Sequence, residues 1–336
     1  MRKVIKNNKI LLKLLIIIST FTGCLQKNKI KKSRYTSKIK KLELTKKSKN
    51  ITKEEHVITI WIHGTRSVHT IVLRNFFFRK LGLHLATSYE KKHNAHKIAT
   101  TVQNQKTKRF NVNNFYIFGW SGKLSPNKRT DAAKNLNISI LKIIKQYKAK
   151  HGIVPKIRLV THSHGGNVAL LLAKINKKQA TKIKIYELVL LACPVQEKTA
   201  QLISNKMFEN IYSIYSGMDM IQVLDPQGLH EVSKKKLGKH LFSLRLFSPQ
   251  KNLIQTKLKI NGRGILHVEF LTEKFMKLLP YILESMDSCK DEYLTNPNAY
   301  KKYHILKIKI QNNHAYFEQK ILKKQFIKKR SKSTIR

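Results

Sequence analysis

Acidic residues are scarce in this chain: 18 Asp and Glu stand against 68 Lys and Arg, a formal net charge of +50 over 336 residues. Glycine (13), proline (7) and cysteine (3) are also few. Three cysteines exclude a disulfide-stapled scaffold and leave the redox compartment open. The surplus charge is overwhelmingly lysine and travels with abundant Ile and Asn, the usage of an AT-rich coding drift that spreads lysine over every solvated face. Such a charge otherwise points to nucleic acid or an anionic membrane surface. No lysine cluster is interleaved with aromatics, as a nucleic-acid platform requires, so charge alone favours that partner and nucleic acid is not expected. With 41% hydrophobic residues the chain can bury one large core.

Long hydrophobic runs are lacking too. The N-terminal "MRKVIKNNKILLKLLIIISTFTGC" has a basic start, the apolar run Leu14 to Ile18, then small residues before Cys24. That is the layout of a secretory signal peptide, with an apolar core short for a bilayer span. The ending "FTGC" resembles a bacterial lipobox, although Phe21 stands where Leu is usual and Lys13 interrupts the run. The resemblance implies cleavage after residue 23 and lipidation of Cys24. An uncleaved N-terminal anchor is the alternative, and either places the protein at a membrane. The basic stretch 24–52 reads as a linker and 289–336 as a basic tail, since blocks of like charge repel themselves into extended forms. Of the other cysteines, Cys193 in "LVLLACPV" reads as a buried core thiol and Cys289 as free.

Between residues 53 and 288 strands and helices alternate. "HVITIWIHG" (56–64), "NFYIFGWSG" (114–122), "KIRLV" (156–160), "YELVLLACPV" (186–195), "NIYSIYS" (210–216) and "NLIQTKLKI" (252–260) read as strands. Helical spacing of apolar residues marks 129–147, 165–175, 197–208 and 268–286, the last with Pro280 as a kink. Near-continuous apolar strands separated by helices predict a mostly parallel sheet of about six strands, covered by helices on both faces. Sites in such sheets lie at the carboxyl ends of the strands.

The stretch "RLVTHSHGGN" (158–167) holds a serine between two histidines. His162 and His164 could begin a metal site of the His-x-His-x-Asp-His kind. Gly166 and Asn167 stand where that motif needs Asp and His, and two histidines do not complete a zinc ligand set. A strand feeding a tight turn and a helix instead exposes Ser163 above the sheet, the geometry of G-x-S-x-G, with Gly165 and Gly166 present and Thr161 in place of the first glycine. Three further residues follow strands. "IWIHGT" places His63 and Gly64 at the end of the first strand, with Thr65 after them, "YSGMD" ends a strand at Asp219, and "NGRGILHVEF" carries His267. Asp225 in "VLDPQ" competes with Asp219, and His230 and His240 with His267.

Ser163, Asp219 and His267, in that order, resemble the catalytic triad of the α/β-hydrolase superfamily in its lipase and esterase branch, over residues 53–288. The first two strands of the full fold have no counterpart in the polar stretch 25–52. The resemblance implies that His267 takes the proton of Ser163, that Asp219 orients the imidazole, and that the amides of Thr65 and His164 hold the oxyanion. It implies no metal and no cofactor. The expected substrate is a small-molecule or lipid ester. The Phe-rich 70–85 stretch reads as an acyl-pocket lining, a partial lid, a membrane-facing surface or a helix packed on the sheet. Trp120 falls near the site by position or serves the core; oligomeric state is not legible. The competing expectation is an inactive hydrolase-fold lipoprotein acting as a binding module, with Thr161 as its support.

Overall fold

The computed structural model describes residues 56–65, 80–105, 109–177, 179–222, 245–290, 303–311 and 314–322. The signal and linker segments with Cys24, the residues Phe76 to Phe78, Asp225, His230, His240 and the final stretch 323–336 lie outside them. No helix among the described residues is long and apolar enough to cross a membrane.

In chain order the elements are β1 (Val57–Ile62), β2 (Gly82–Leu85), α1 (Asn94–Gln105), β3 (Phe115–Gly119), α2 (Pro126–His151), β4 (Lys156–His162), α3 (His164–Lys177), β5 (Ile185–Leu191), α4 (Glu197–Ala200), β6 (Phe208–Tyr215), β7 (Leu253–Ile260), α5 (Glu273–Asp287), β8 (Tyr303–Gln311) and β9 (His314–Leu322). The strands form one sheet in the order β2-β3-β1-β4-β5-β6-β7-β8-β9. Strands β3 to β8 run parallel within it, and the two edge strands are antiparallel to their neighbours. This is an α/β-hydrolase-like fold.

Nine strands replace the expected six. The largest difference is the β8–β9 hairpin, which falls in the stretch read as a tail. Its "LKIKIQ" run alternates strictly, so Leu306 and Ile308 are buried while Lys307 and Lys309 face outward. The lysine count hid a period of two. At the other edge, β2 has four residues, too short for a periodic signal, and α1 has only Ala95, Ile98, Ala99 and Val102 on its buried face.

Two apolar layers cover the sheet. On β1, Ile58, Ile60 and Ile62 pack against α2 and α3, while Trp61 joins the opposite layer with α1 and α5. Each such fully buried side chain contributes about 1.5–3 kcal/mol. Helix α2 follows its local signals. Ser125 caps it by accepting from Lys128 N–H, Pro126 opens it, and Gly152 closes it at φ 71°. Helix α5 starts later than the apolar spacing suggests, because Thr272 accepts from Phe275 N–H and residues 267–271 form a 3-10 turn. Pro280 lies buried inside it. The helix expected over 197–208 stops after one turn and a 3-10 segment, and Phe208 enters the sheet.

At the amino ends of the strands, opposite the elbow described below, a buried ion cluster ties the sheet to the end of α5. Arg158 Nε donates to Glu187 Oε1 at 2.9 Å, and Arg109 donates to Glu187 at 3.0 Å and to Asp287 at 2.5 Å. Tyr212 donates its hydroxyl to the same Asp287. Burial alone would raise the Glu187 carboxyl; the two guanidinium groups overcome it and hold its pKa below the ordinary 4.5. Removing one partner of a buried pair leaves an uncompensated charge. Glu187→Gln should therefore cost about 3–5 kcal/mol in urea unfolding at pH 7. The stabilisation from Glu187 should be fully present above pH 4.5 and decline as the pH falls through its lower folded value, a slope the variant lacks.

Candidate active site

The site begins with a strained residue. Ser163 joins the end of β4 to the start of α3 and holds φ at 54°, a left-handed conformation rare for a side chain other than glycine. The turn is fixed from both sides: Ser163 N–H donates to Leu191 O at 2.9 Å, and Gly166 N–H to Ser163 O at 3.0 Å. Ser163 is 6% exposed, at the amino end of a helix whose first four residues are all buried. The β-branched Thr161 does not crowd this turn. It still belongs to β4, and its hydroxyl donates to Val189 O at 3.0 Å.

The turn after β1 packs directly on that elbow. A Cβ on Gly64 would stand 2.7 Å from Ser163 Cβ, and one on Gly165 would stand 2.5 Å from Ile62 O and 2.6 Å from His63 O. Backbone thus approaches backbone, which only glycine permits. The β1 turn is itself locked by Trp120. Its amide donates to His63 Nε2 at 3.2 Å, its indole N–H to His63 O at 2.8 Å, and the two rings stack with centroids 5.7 Å apart. Since Nε2 accepts, Nδ1 carries the proton that His63 donates to Gly64 O at 2.7 Å. Thr65 follows, its Oγ1 buried without a hydrogen-bond partner.

The loops that carry Asp219 and His267 meet each other directly. His267 Nδ1 donates to Asp219 Oδ2 at 2.8 Å, with the two residues 9% and 1% exposed. The other carboxylate oxygen, Asp219 Oδ1, accepts from Gln222 N–H at 2.9 Å. Ser216 Oγ joins the loops by accepting from Met218 N–H at 3.2 Å and Ile265 N–H at 2.9 Å. Arg245 donates to Asp219 O at 2.8 Å. Ser216, Gln222 and Arg245 carry no sequence signal for this work; only their contacts reveal it.

Both histidines beside Ser163 turn inward. His164 Nδ1 lies 3.4 Å from the Asn167 side-chain amide. His162 Nε2 donates to the main-chain oxygen of His267 at 3.1 Å, and the two rings sit 4.6 Å apart. Burial, and next the His267 imidazole, push the His162 pKa well below its ordinary 6.5. The structure thus brings Ser163, Asp219, His267, Gly64, Thr65 and His164 to the carboxyl ends of β1, β4 and β6 and the loop after β7. Of the 70–85 stretch, Gly82–Leu85 form edge strand β2 instead of lining this site.

The topology and the strand–elbow–helix geometry define the class of protein as an α/β-hydrolase-like fold. A family model described as the PGAP1-like alpha/beta domain matches residues 53–226, more than half of the chain. The protein belongs to that family. No curated protein matches it. Among solved structures it is similar to an alpha-beta serine hydrolase homologue from Coxiella burnetii, at 13% identity and a TM-score of 0.31 over 73% of this chain and 87% of that one. It is also similar to carboxyl esterase 2 from the mycorrhizal fungus Tuber melanosporum, at 9% identity and 0.36 over 72% and 78%. A third is phospholipase PlaB from Legionella pneumophila, at 11% identity and 0.31 over 80% of this chain and 50% of that one. Identities and scores this low say nothing about substrate.

Two outcomes follow from the packing. Gly165→Ala forces a Cβ onto two carbonyl oxygens that belong to backbone, so it should cost at least about 1–3 kcal/mol in urea unfolding. Gly152→Ala, at an open helix end with nothing within 4 Å, should disturb the elbow not at all. His162 gives the second. The folded state keeps it unprotonated while the unfolded chain takes up a proton below pH 6.5. Stability from this group is therefore lost as the pH drops below 6.5 and constant above it. The stability gap between parent and His162→Gln should narrow by up to ~1.4 kcal/mol per pH unit below that point, read by urea unfolding across pH 7.5 to about 5.

Proposed function

We propose that this protein is a membrane-anchored serine hydrolase that cleaves carboxylic esters, lipid or acyl esters above all. Ser163 is the nucleophile, His267 the general base and Asp219 the residue that orients and stabilises the imidazole. The observation that supports this reading most is the buried Asp219–His267 pair at 2.8 Å, with the main-chain oxygen of His267 bonded to His162, the residue before Ser163. With Nδ1–H committed to the carboxylate, Nε2 is the nitrogen with a lone pair for the serine proton. His267 takes that proton as Oγ attacks the ester carbonyl carbon. The tetrahedral oxyanion sits against the amides of Thr65 and His164. His267 then protonates the leaving alcohol, and the acyl-enzyme remains. Water, deprotonated by the same nitrogen, releases the acid and restores the serine. These steps use no cofactor.

The loops around His267 support an apolar substrate. Met218, Met220, Ile221, Leu266 and Val268 are all exposed there, at 38–55%. Beside a basic chain anchored through lipidated Cys24, in a bacterial envelope outside the cytoplasm, acyl chains of an anionic lipid surface would meet this rim.

A fluorophosphonate probe tests the reading. The folded parent, residue 26 onward, should label covalently, and Ser163→Ala and His267→Ala should not. Ester turnover should fall by about 10⁴-fold or more in each. Asp219→Asn should lower kcat by about 10⁴-fold, whereas Asp225→Asn should leave it unchanged. A folded parent that takes no label would leave the binding-module reading standing. Thr65→Val removes a buried hydroxyl that has no partner among the described residues, so it should leave stability unchanged or raised. In the full chain, Cys24→Ala should abolish incorporation of a labelled fatty acid that the parent takes up.

A further inference from the structure

We propose that His162 is a positioning residue for the base: its ring ties the main chain of His267 to the strand that carries the nucleophile, and so sets the distance between the two catalytic groups. This rests on the reading of Ser163 and His267 given above.

The base loop has two sets of tethers. One set reaches only the acid loop, through Ile265 N–H to Ser216 Oγ at 2.9 Å and His267 Nδ1–H to Asp219 Oδ2 at 2.8 Å. Those two bonds do not by themselves fix the base loop relative to Ser163. The acid loop is anchored separately, by Gln222 Nε2–H donating to Cys193 O at 2.8 Å beside Gly166 of the first turn of α3. Among the hydrogen bonds of the described residues, the bond from His162 Nε2–H to His267 O, at 3.1 Å, ties the base loop directly to the end of β4. His162 is the residue directly before Ser163, so its ring measures from the elbow itself. Its other side is fixed as well. A Cβ on Gly64 would stand 3.2 Å from His162 Nδ1, so the ring is wedged against the oxyanion turn. One buried imidazole thus touches all three parts of the site.

Chemistry explains why this tether is an imidazole. The donor must be uncharged, because His267 becomes a cation in the transition state with its ring centroid 4.6 Å away. Lysine or arginine would oppose that charge at close range. The side chain must also reach a carbonyl across the site with a rigid ring. A displacement of about 1 Å between nucleophile and base can cost 10²-fold in rate, which sets the scale expected here.

The experiment compares the parent with His162→Leu, His162→Gln and His162→Asn. Glutamine can place an amide N–H where Nε2 stands; asparagine is shorter and ends near Nδ1. Each is measured for its second-order rate of fluorophosphonate labelling, for kcat and KM on p-nitrophenyl butyrate, and for thermal midpoint. The expected result is a loss of about 10²-fold in labelling and kcat for Leu and Asn, with KM within about twofold, and recovery to within roughly tenfold of the parent for Gln. A purely structural role would lower the thermal midpoint of all three without that kcat pattern. Should Leu fail to fold, the Gln–Asn contrast decides alone. Leu or Asn labelling at the parent's rate overturns the proposal while leaving the serine hydrolase reading intact. A folded parent that takes no label overturns that reading, and the positioning role with it.

Discussion

The site depends on one close approach of backbone to backbone. The turn after β1 lies against the elbow between β4 and α3 so tightly that neither side tolerates a side chain at the contact: Gly64 faces Ser163, and Gly165 faces the carbonyls of Ile62 and His63. Parallel pairing of β1 with β4 sets this register, with Ile62 opposite Thr161. The two strands deliver their ends at the same height, and the residues just beyond them collide unless they are glycine. In return, the turn after β1 and the elbow are held against one another by rigid elements. A site needing sub-ångström placement is best built this way.

Around that contact, polar groups are placed by partners that have no freedom themselves. Trp120 fixes the tautomer of His63 and the carbonyl above it. Gln222 and Arg245 hold the backbone and carboxylate of the Asp219 turn, and Ser216 binds that turn to the base loop. Buried hydrogen bonds of this kind each add only about 0.5–1.5 kcal/mol to stability. Their larger effect is geometric, because each removes an alternative position for a side chain of the candidate site.

The strong net charge leaves little mark on the interior. The buried acids are matched to specific cations or donors: Glu187 to Arg158 and Arg109, Asp219 to His267. The ion cluster sits at the amino ends of the strands and the candidate site at their carboxyl ends. The same sheet therefore keeps its charged staple and the candidate site apart, and no lysine among the described residues is buried.

The central strands and helices α2, α3 and α5 were legible in the sequence, as was the position of Ser163, Asp219 and His267 just beyond strands, because buried parallel strands read as apolar runs and the candidate residues follow them in the chain. The β8–β9 hairpin was not, since lysine on its outer face masked the alternation beneath, and β2 was too short to show a period. Local pattern also could not say that Thr161 fits, that Trp120 serves His63, or that His162 reaches His267 across 105 residues of chain. Sequence by itself determined which residues stand at strand ends. Tertiary structure alone decided which of them meet, because a contact between distant segments depends on strand order and register, and neither is written in the spacing of neighbouring residues.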